Sequence, residues 1–137
     1  MNNSFRPRII IADDNDIVRD VVRAIIEQGL SADCSSARCL DETVEIASET
    51  PVDLALLDYN MPGMNGLIGL SRIKSCDVRH AALFSGRISS DVIEEAIELG
   101  VSGFLPKTLA PGALLSAVQA MCSGEKFPGQ HFFGEMS

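Results

Sequence analysis

At 137 residues, 46% of them hydrophobic and with a mean hydropathy of +0.17, the chain fits one compact domain with a real core and is too short for two. A net charge of −8 and a pI near 4.6 exclude non-specific binding to DNA or anionic membranes, because the phosphate-neutralising contribution would be repulsive. No apolar run approaches the roughly 20 residues that span a bilayer, and the start Met1-Asn2-Asn3-Ser4-Phe5-Arg6 lacks the apolar stretch of a signal peptide, so the expectation is a cytoplasmic protein.

Ile9 to Ala12 reads as a buried strand that stops at Asp13-Asp14. Asp16 is placed to cap a helix carrying Ile17, Val18, Val21, Val22, Ile25 and Ile26, and Gly29 ends it. Ala32 to Ala37 is polar and is assigned as a strand mainly because the alternation of elements requires one. Leu40, Val44 and Ala47 mark a second helix, stopped before Pro51. Val52 to Leu57 is a clear strand ending at Asp58, and Pro62-Gly63 marks a turn in the loop behind it. A third helix is expected from about Gly66 to Lys74, with Gly69 inside it costing about 1 kcal/mol relative to alanine. Ala81 to Phe84 is a fourth strand, ending at Ser85. Asp91, with Glu94 three residues later, opens a fourth helix as a capping box; its apolar face is Val92, Ile93, Ala96 and Ile97, and Gly100 ends it. Val101 to Leu105 is the fifth strand, just before Lys107. Pro111 suits the first turn of a last helix carrying Leu114, Ala117, Val118 and Met121, and Gly124 ends it. Glu125 to Ser137 is a short tail. The cysteines at 34, 39, 76 and 122 form no Cys-x-x-Cys pair, which argues for free thiols rather than a zinc site.

Five strands alternating with five helices, the strands mostly apolar throughout, imply a parallel sheet covered on both faces. Right-handed crossovers make this a three-layer, doubly wound, flavodoxin-like α/β fold, for which the strand order is taken as 2-1-3-4-5. Ligands in such folds bind outside the carboxyl ends of the strands, where the order reverses. Here that point lies between the first and third strands, beside Asp13, Asp14 and Asp58.

Each site residue has an ordinary explanation next to a chemical one. Asp13 and Asp14 are either turn and capping residues or ligands of Mg2+, which prefers oxygen donors. Asp58 is either a loop aspartate or a nucleophile that takes a phosphoryl group as an acyl phosphate. Ser85 and Lys107 are either surface residues or the hydroxyl and ammonium that bind phosphoryl oxygens, with Gly86 leaving room for them. All four strand ends carrying such a residue favours the chemical set, and three neighbouring carboxylates imply a cation to neutralise them.

These residues resemble the receiver domain of two-component response regulators over about residues 7–123. The resemblance is carried by Asp13-Asp14, Asp58 followed by Met61-Pro62-Gly63-Met64-Asn65-Gly66, Ser85-Gly86 and Lys107. It implies that Asp58 is the phosphoacceptor. It also implies that Asp14, Asp58 and the backbone carbonyl of Asn60 hold Mg2+ (Mn2+ being an acceptable substitute), with Asp13 contributing through water. Ser85 and Lys107 would bind the phosphoryl group, and Phe104 matches the family's aromatic switch position. Asn60 and Arg87 border the phosphate and are the positions that would tune its lifetime. The implied partner is a sensor histidine kinase or a histidine phosphotransfer protein, and the implied readout a homodimer contact or an output domain.

Gly100-Val101-Ser102-Gly103-Phe104-Leu105-Pro106-Lys107 and Ser123-Gly124-Glu125 look like receivers of LuxR-type transcription regulators. Those carry a helix-turn-helix domain that this segment lacks, so direct nucleic-acid binding is not expected of it. Residues 124–137 then read as a C-terminal tail or a truncated linker, with His131-Phe132-Phe133 favouring the linker. Two features depart from the family. Thr108 follows the lysine where proline, often cis, is usual, and Phe104 lacks the hydroxyl of the commoner tyrosine.

Two rival readings remain at this level. Asp14-Asn15-Asp16-Ile17 loosely matches the loop of haloacid-dehalogenase-type phosphatases, but no acidic pair follows Lys107. The other rival is an interaction module of the same fold that is never phosphorylated.

Overall fold

The computed structural model describes residues 6–86 and 88–128. Its elements in chain order are β1 (Arg8–Ala12), α1 (Asp16–Gly29), β2 (Asp33–Ala37), α2 (Leu40–Glu49), β3 (Val52–Asp58), α3 (Ile68–Lys74), β4 (Val78–Ser85), α4 (Ser90–Glu98), β5 (Gly103–Pro106) and α5 (Pro111–Cys122). The strands form one sheet of order β2-β1-β3-β4-β5, parallel throughout.

The sheet is covered on both faces because its central strands are apolar on both. Ile10, Ala12, Ala55, Leu57, Ala81, Leu83 and Phe104 pack into one buried cluster with residues of α2, α3 and α4. Ile9, Ile11, Leu54, Leu56, Ala82, Phe84 and Leu105 pack into the other with α1 and α5. Ile9, Ile10 and Ile11 are essentially fully buried, each contributing about 1.5–3 kcal/mol by leaving water. The polar strand β2 lies at the sheet edge and is paired to β1 alone, so it needs less apolar surface.

Several element boundaries differ from the sequence expectation. Asn15, not Asp16, caps α1: its side chain accepts from the N–H groups of Ile17 and Val18 at 2.9 and 3.1 Å. Ser89, not Asp91, caps α4, accepting from Val92 at 3.4 Å. In both places cap-forming residue types stand close together, and only the backbone trajectory selects among them. Helix α3 starts at Ile68 because Asn65 and Gly66 have left-handed φ of 49° and 68°. Strand β4 begins three residues early at Val78, and β5 begins at Gly103 rather than Val101. The apolar residues of α1 do not all enter the core: Val22 and Ile26 are buried, while Ile17 and Val21 are 73% and 51% exposed. The two exposed residues are four apart and so share one flank of the helix.

Gly69 sits inside α3 for a packing reason. A Cβ there would lie 2.7 Å from Met64 Sδ and 2.8 Å from Met64 Cα, and its own N–H donates to the Met64 carbonyl at 2.7 Å. Gly69→Ala should therefore destabilise the fold by about 1–3 kcal/mol through overpacking, despite the gain of up to about 1 kcal/mol in helix propensity. A urea titration of the variant checks this, and a stabilised Gly69→Ala would contradict it.

Candidate functional site

Side-chain alternation along the strands sorts the site residues before any contact is considered. Asp13 continues the Ile9–Ile11 face of β1, Asp58 the Leu54–Leu56 face of β3, and Lys107 the Leu105 face of β5. All three faces look toward α1 and α5. Ser85 continues the Ala81–Leu83 face of β4, which it shares with Phe104 on the α4 side. The register aligns their heights: Ala12 pairs with Leu57, Asp58 with Phe84, and Ser85 with Pro106.

The side chains meet as that placement requires. Asp13, Asp14 and Asp58 each offer a carboxylate oxygen within 4.8 Å of the others. Asp13 and Asp58 are buried, and Asp14 faces solvent. Lys107 Nζ lies 2.8 Å from Asp13 Oδ2 and 3.4 Å from Asp58 Oδ2. The lysine thus pairs foremost with Asp13. Its stem also brings Nζ to 5.8 Å from the centre of the Phe84 ring. Asp58 Oδ1 accepts the Asn60 N–H at 3.1 Å, and Asp13 Oδ1 accepts the Asn15 N–H at 2.9 Å. Asp13 Oδ2 is buried against the Lys107 ammonium.

Burial pushes the Asp58 carboxyl above its ordinary range. The Asn60 N–H opposes that shift, Asp13 adds to it, and Lys107 opposes it. Burial would lower the Lys107 ammonium, but its bond to Asp13 and the charge of Asp58 outweigh burial and raise it. Among the described residues, three carboxylates therefore gather around one ammonium. A hard divalent cation suits that donor set.

The turn that presents Lys107 holds without a proline behind it. The Lys107 N–H donates to the Ser85 carbonyl at 3.1 Å, and the Leu109 N–H to the Pro106 carbonyl at 3.0 Å. The loop after Asp58 is fixed against α2, where the Leu40 N–H donates to the Pro62 carbonyl at 2.9 Å. Gly63 there has φ 95°, and a Cβ on it would lie 2.8 Å from Leu40 Cβ. Ser85 is buried, while Gly86 and Asn60 are exposed. Arg87 lies outside the described residues. Phe104 is already buried beside Ser85, at 7% exposure.

One site residue escaped the sequence reading. Arg19 donates from Nη1 to the Asp13 carbonyl at 2.7 Å and pairs with Asp16, its side chain only 11% exposed. It clamps the loop that carries both aspartates. Periodicity alone treats it as a solvated residue on the polar flank of α1; the one available signal is a cation one helical turn after the cap.

Residues 9–119 match the response regulator receiver domain family. This chain belongs to that family. Among curated receiver-containing proteins it is similar to the nitrate/nitrite response regulator protein NarL of Escherichia coli K12, 30% identical over 127 residues. That match covers 91% of this chain and 59% of the relative. It is also 35% identical over 120 residues to the transcriptional regulatory protein LnrK of Bacillus subtilis, covering 85% of this chain and 54% of that protein. The chain thus spans a little over half the length of these relatives. Among solved structures it resembles the signal receiver domain of the response regulator NarL from Mycobacterium tuberculosis. The TM-score is 0.80 at 25% identity, over 89% of this chain and all of that one. It also resembles a LuxR-family two-component response regulator from Aurantimonas sp. SI85-9A1, with TM-score 0.80, 25% identity and 96% of each chain covered. The receiver fold and the order 2-1-3-4-5 expected from sequence are both borne out. Among the described residues, no helix is long and apolar enough to cross a membrane.

Proposed function

We propose that the chain is the phosphoryl-accepting switch of a two-component system, with Asp58 as the acceptor. The convergence of three carboxylates and the Lys107 ammonium at the carboxyl end of the sheet carries this reading. The donor is a phosphohistidine on a sensor kinase or a phosphotransfer protein. An Asp58 carboxylate oxygen attacks phosphorus, the new P–O bond forms, and the P–N bond breaks. The electron pair leaves with the imidazole, which takes up a proton.

Asp14, Asp58 and the Asn60 carbonyl would hold Mg2+ or Mn2+, with Asp13 acting through water. The ion, when bound, offsets negative charge on the phosphoryl oxygens and the acids. Lys107 meets the same charge from the opposite side, the Ser85 hydroxyl donates to a phosphoryl oxygen, and exposed Gly86 leaves room for it. By the family resemblance, Asn60 and Arg87 are the positions that tune the rate of hydrolysis. The domain catalyses only its own modification and reversal, so it is not an enzyme with a separate substrate.

Phosphorylation adds about −1.5 to −2 charge at one point. Ser85 moves toward that charge, and Phe104, sharing its face of the sheet, repacks rather than swinging in from solvent. The face of α4, β5 and α5 changes with it, controlling a homodimer contact or an output domain. A shift from 1:99 to 99:1 in that equilibrium needs about 5.5 kcal/mol of differential stabilisation. Residues 124–137 are a C-terminal tail or a linker, the segment itself does not bind nucleic acid, and the setting is cytoplasmic. The phosphatase reading is weakened because Asn15 caps α1 and Asp16 pairs with Arg19, so neither is free to act on a substrate. Reductive trapping with borohydride after acetyl phosphate and Mg2+ tests the assignment: the modified peptide should be the one containing Asp58, and label at Asp14 would reject it.

A further inference from the structure

Arg19 closes the first turn of α1, where positive charge opposes the helix dipole. Long charged side chains are mostly exposed, yet only 11% of this one is. The start of the helix does not need it, because Asn15 already accepts the N–H groups of Ile17 and Val18. Its guanidinium works instead as a fork. Nη1 donates to the Asp13 carbonyl at 2.7 Å, and Nη2 pairs with the Asp16 carboxylate. Its field also reaches α2: Arg38 holds the Glu42 carboxyl below its ordinary range, and Arg19 adds to that.

The carbonyl that Arg19 holds belongs to the peptide between Asp13 and Asp14. The peptide on the other side of Asp14 is held as well, since the Asn15 N–H donates to Asp13 Oδ1 at 2.9 Å. Asp13 is tied to the sheet in turn, its N–H donating to the Ala37 carbonyl at 3.0 Å. Asp14 is exposed, so packing does not aim its carboxylate. An Asp14 oxygen nevertheless lies within 4.8 Å of oxygens of Asp13 and Asp58. The two flanking peptide planes set that direction, and the first of them depends on Arg19.

We propose that Arg19 is a positioning residue for the divalent cation. By fixing the 13–14 peptide it holds the exposed Asp14 carboxylate beside Asp13 and Asp58, while Asp16 and Glu42 offset its own charge. The proposal rests on the reading of the acid cluster as a cation site and adds to it a residue outside the cluster. Charge alone predicts the opposite sign. A guanidinium near the acids repels a cation, so removing it for its charge would tighten Mg2+ binding. Removing a positioning group loosens binding, and groups that orient metal ligands typically carry about 10–100-fold in affinity.

The test is a Mg2+ titration of the full chain, followed by heteronuclear NMR correlation spectra with no phosphodonor present. Arg19→Met keeps the aliphatic stem, and the same spectra report that it is folded. It should bind Mg2+ about tenfold more weakly than the unaltered chain, with the Asp14 and Asn15 amide resonances already shifted before metal is added. Arg19→Ala should be weakened likewise. Added guanidinium ion should restore its affinity, and methylammonium, of equal charge, should not. An unaltered chain that binds no Mg2+ overturns the cation site and this proposal together. Binding by the unaltered chain that Arg19→Met matches or exceeds overturns the positioning role alone. Equal recovery with methylammonium also overturns it, because charge would then suffice.

Discussion

Replacing Asp58 with asparagine should stabilise the protein by about 1–3 kcal/mol at neutral pH without divalent cation. Two unit charges 4 Å apart repel by about 4 kcal/mol at an effective dielectric near 20, and among the described residues three carboxylates here gather around a single ammonium. Asparagine keeps the shape and an oxygen for the Asn60 N–H, and it removes the charge that burial already disfavours. If the acids formed an ordinary structural ion-pair network, the same substitution would destabilise. The pH dependence carries the same sign. A carboxyl whose folded value is raised contributes stability that is present below its ordinary range and is lost as pH rises through the raised value. Stability should therefore fall across that window in the unaltered protein, and Asp58→Asn should flatten the slope. Urea titrations of both proteins across the acid range measure both effects.

Lys107→Met should have the opposite effect and a larger size, a loss of about 3 kcal/mol. Removing one partner of a buried pair leaves an uncompensated charge, which typically costs about 3–5 kcal/mol. Asp13 is fully buried, and its Oδ2 faces Lys107 Nζ at 2.8 Å. Adding Asp13→Asn to Lys107→Met should recover most of the loss, giving a coupling energy readable from a double-mutant cycle. Millimolar Mg2+ should recover part of it as well, because a cation bound only by the folded state stabilises by mass action. Equal losses with and without the Asp13 change would place the effect in the ammonium's contact with the Phe84 ring instead.

The strands of the site were legible in the sequence because each ended where hydrophobicity stopped and a polar residue began. Ala12-Asp13, Leu57-Asp58 and Phe84-Ser85 are such edges, and apolar runs of four to six residues leave little choice of element. Their convergence followed from parallel pairing, which puts every carboxyl end on one side of the sheet. Finer features depended on geometry that periodicity does not encode. Asn15 rather than Asp16 caps α1, and Ser89 rather than Asp91 caps α4, because neighbouring residues were chemically equivalent as caps. That Ile17 and Val21 stay exposed was not legible either, because an apolar arc does not announce what covers it. The preference of Lys107 for Asp13 over Asp58 reflects side-chain placement at the ends of β1 and β3, which no spacing along the chain specifies. The parallel bridge between Phe127 and Gly103 is one residue wide and leaves no alternating pattern to detect.

Intact-mass spectrometry after incubation with acetyl phosphate and Mg2+ tests the assignment of Asp58 most directly, run on the unaltered chain and on Asp58→Asn side by side. The first should gain one phosphoryl group and the second none, with the gain lost when the cation is chelated. An unaltered chain that gains nothing, or an Asp58→Asn chain that gains as much, would contradict the account.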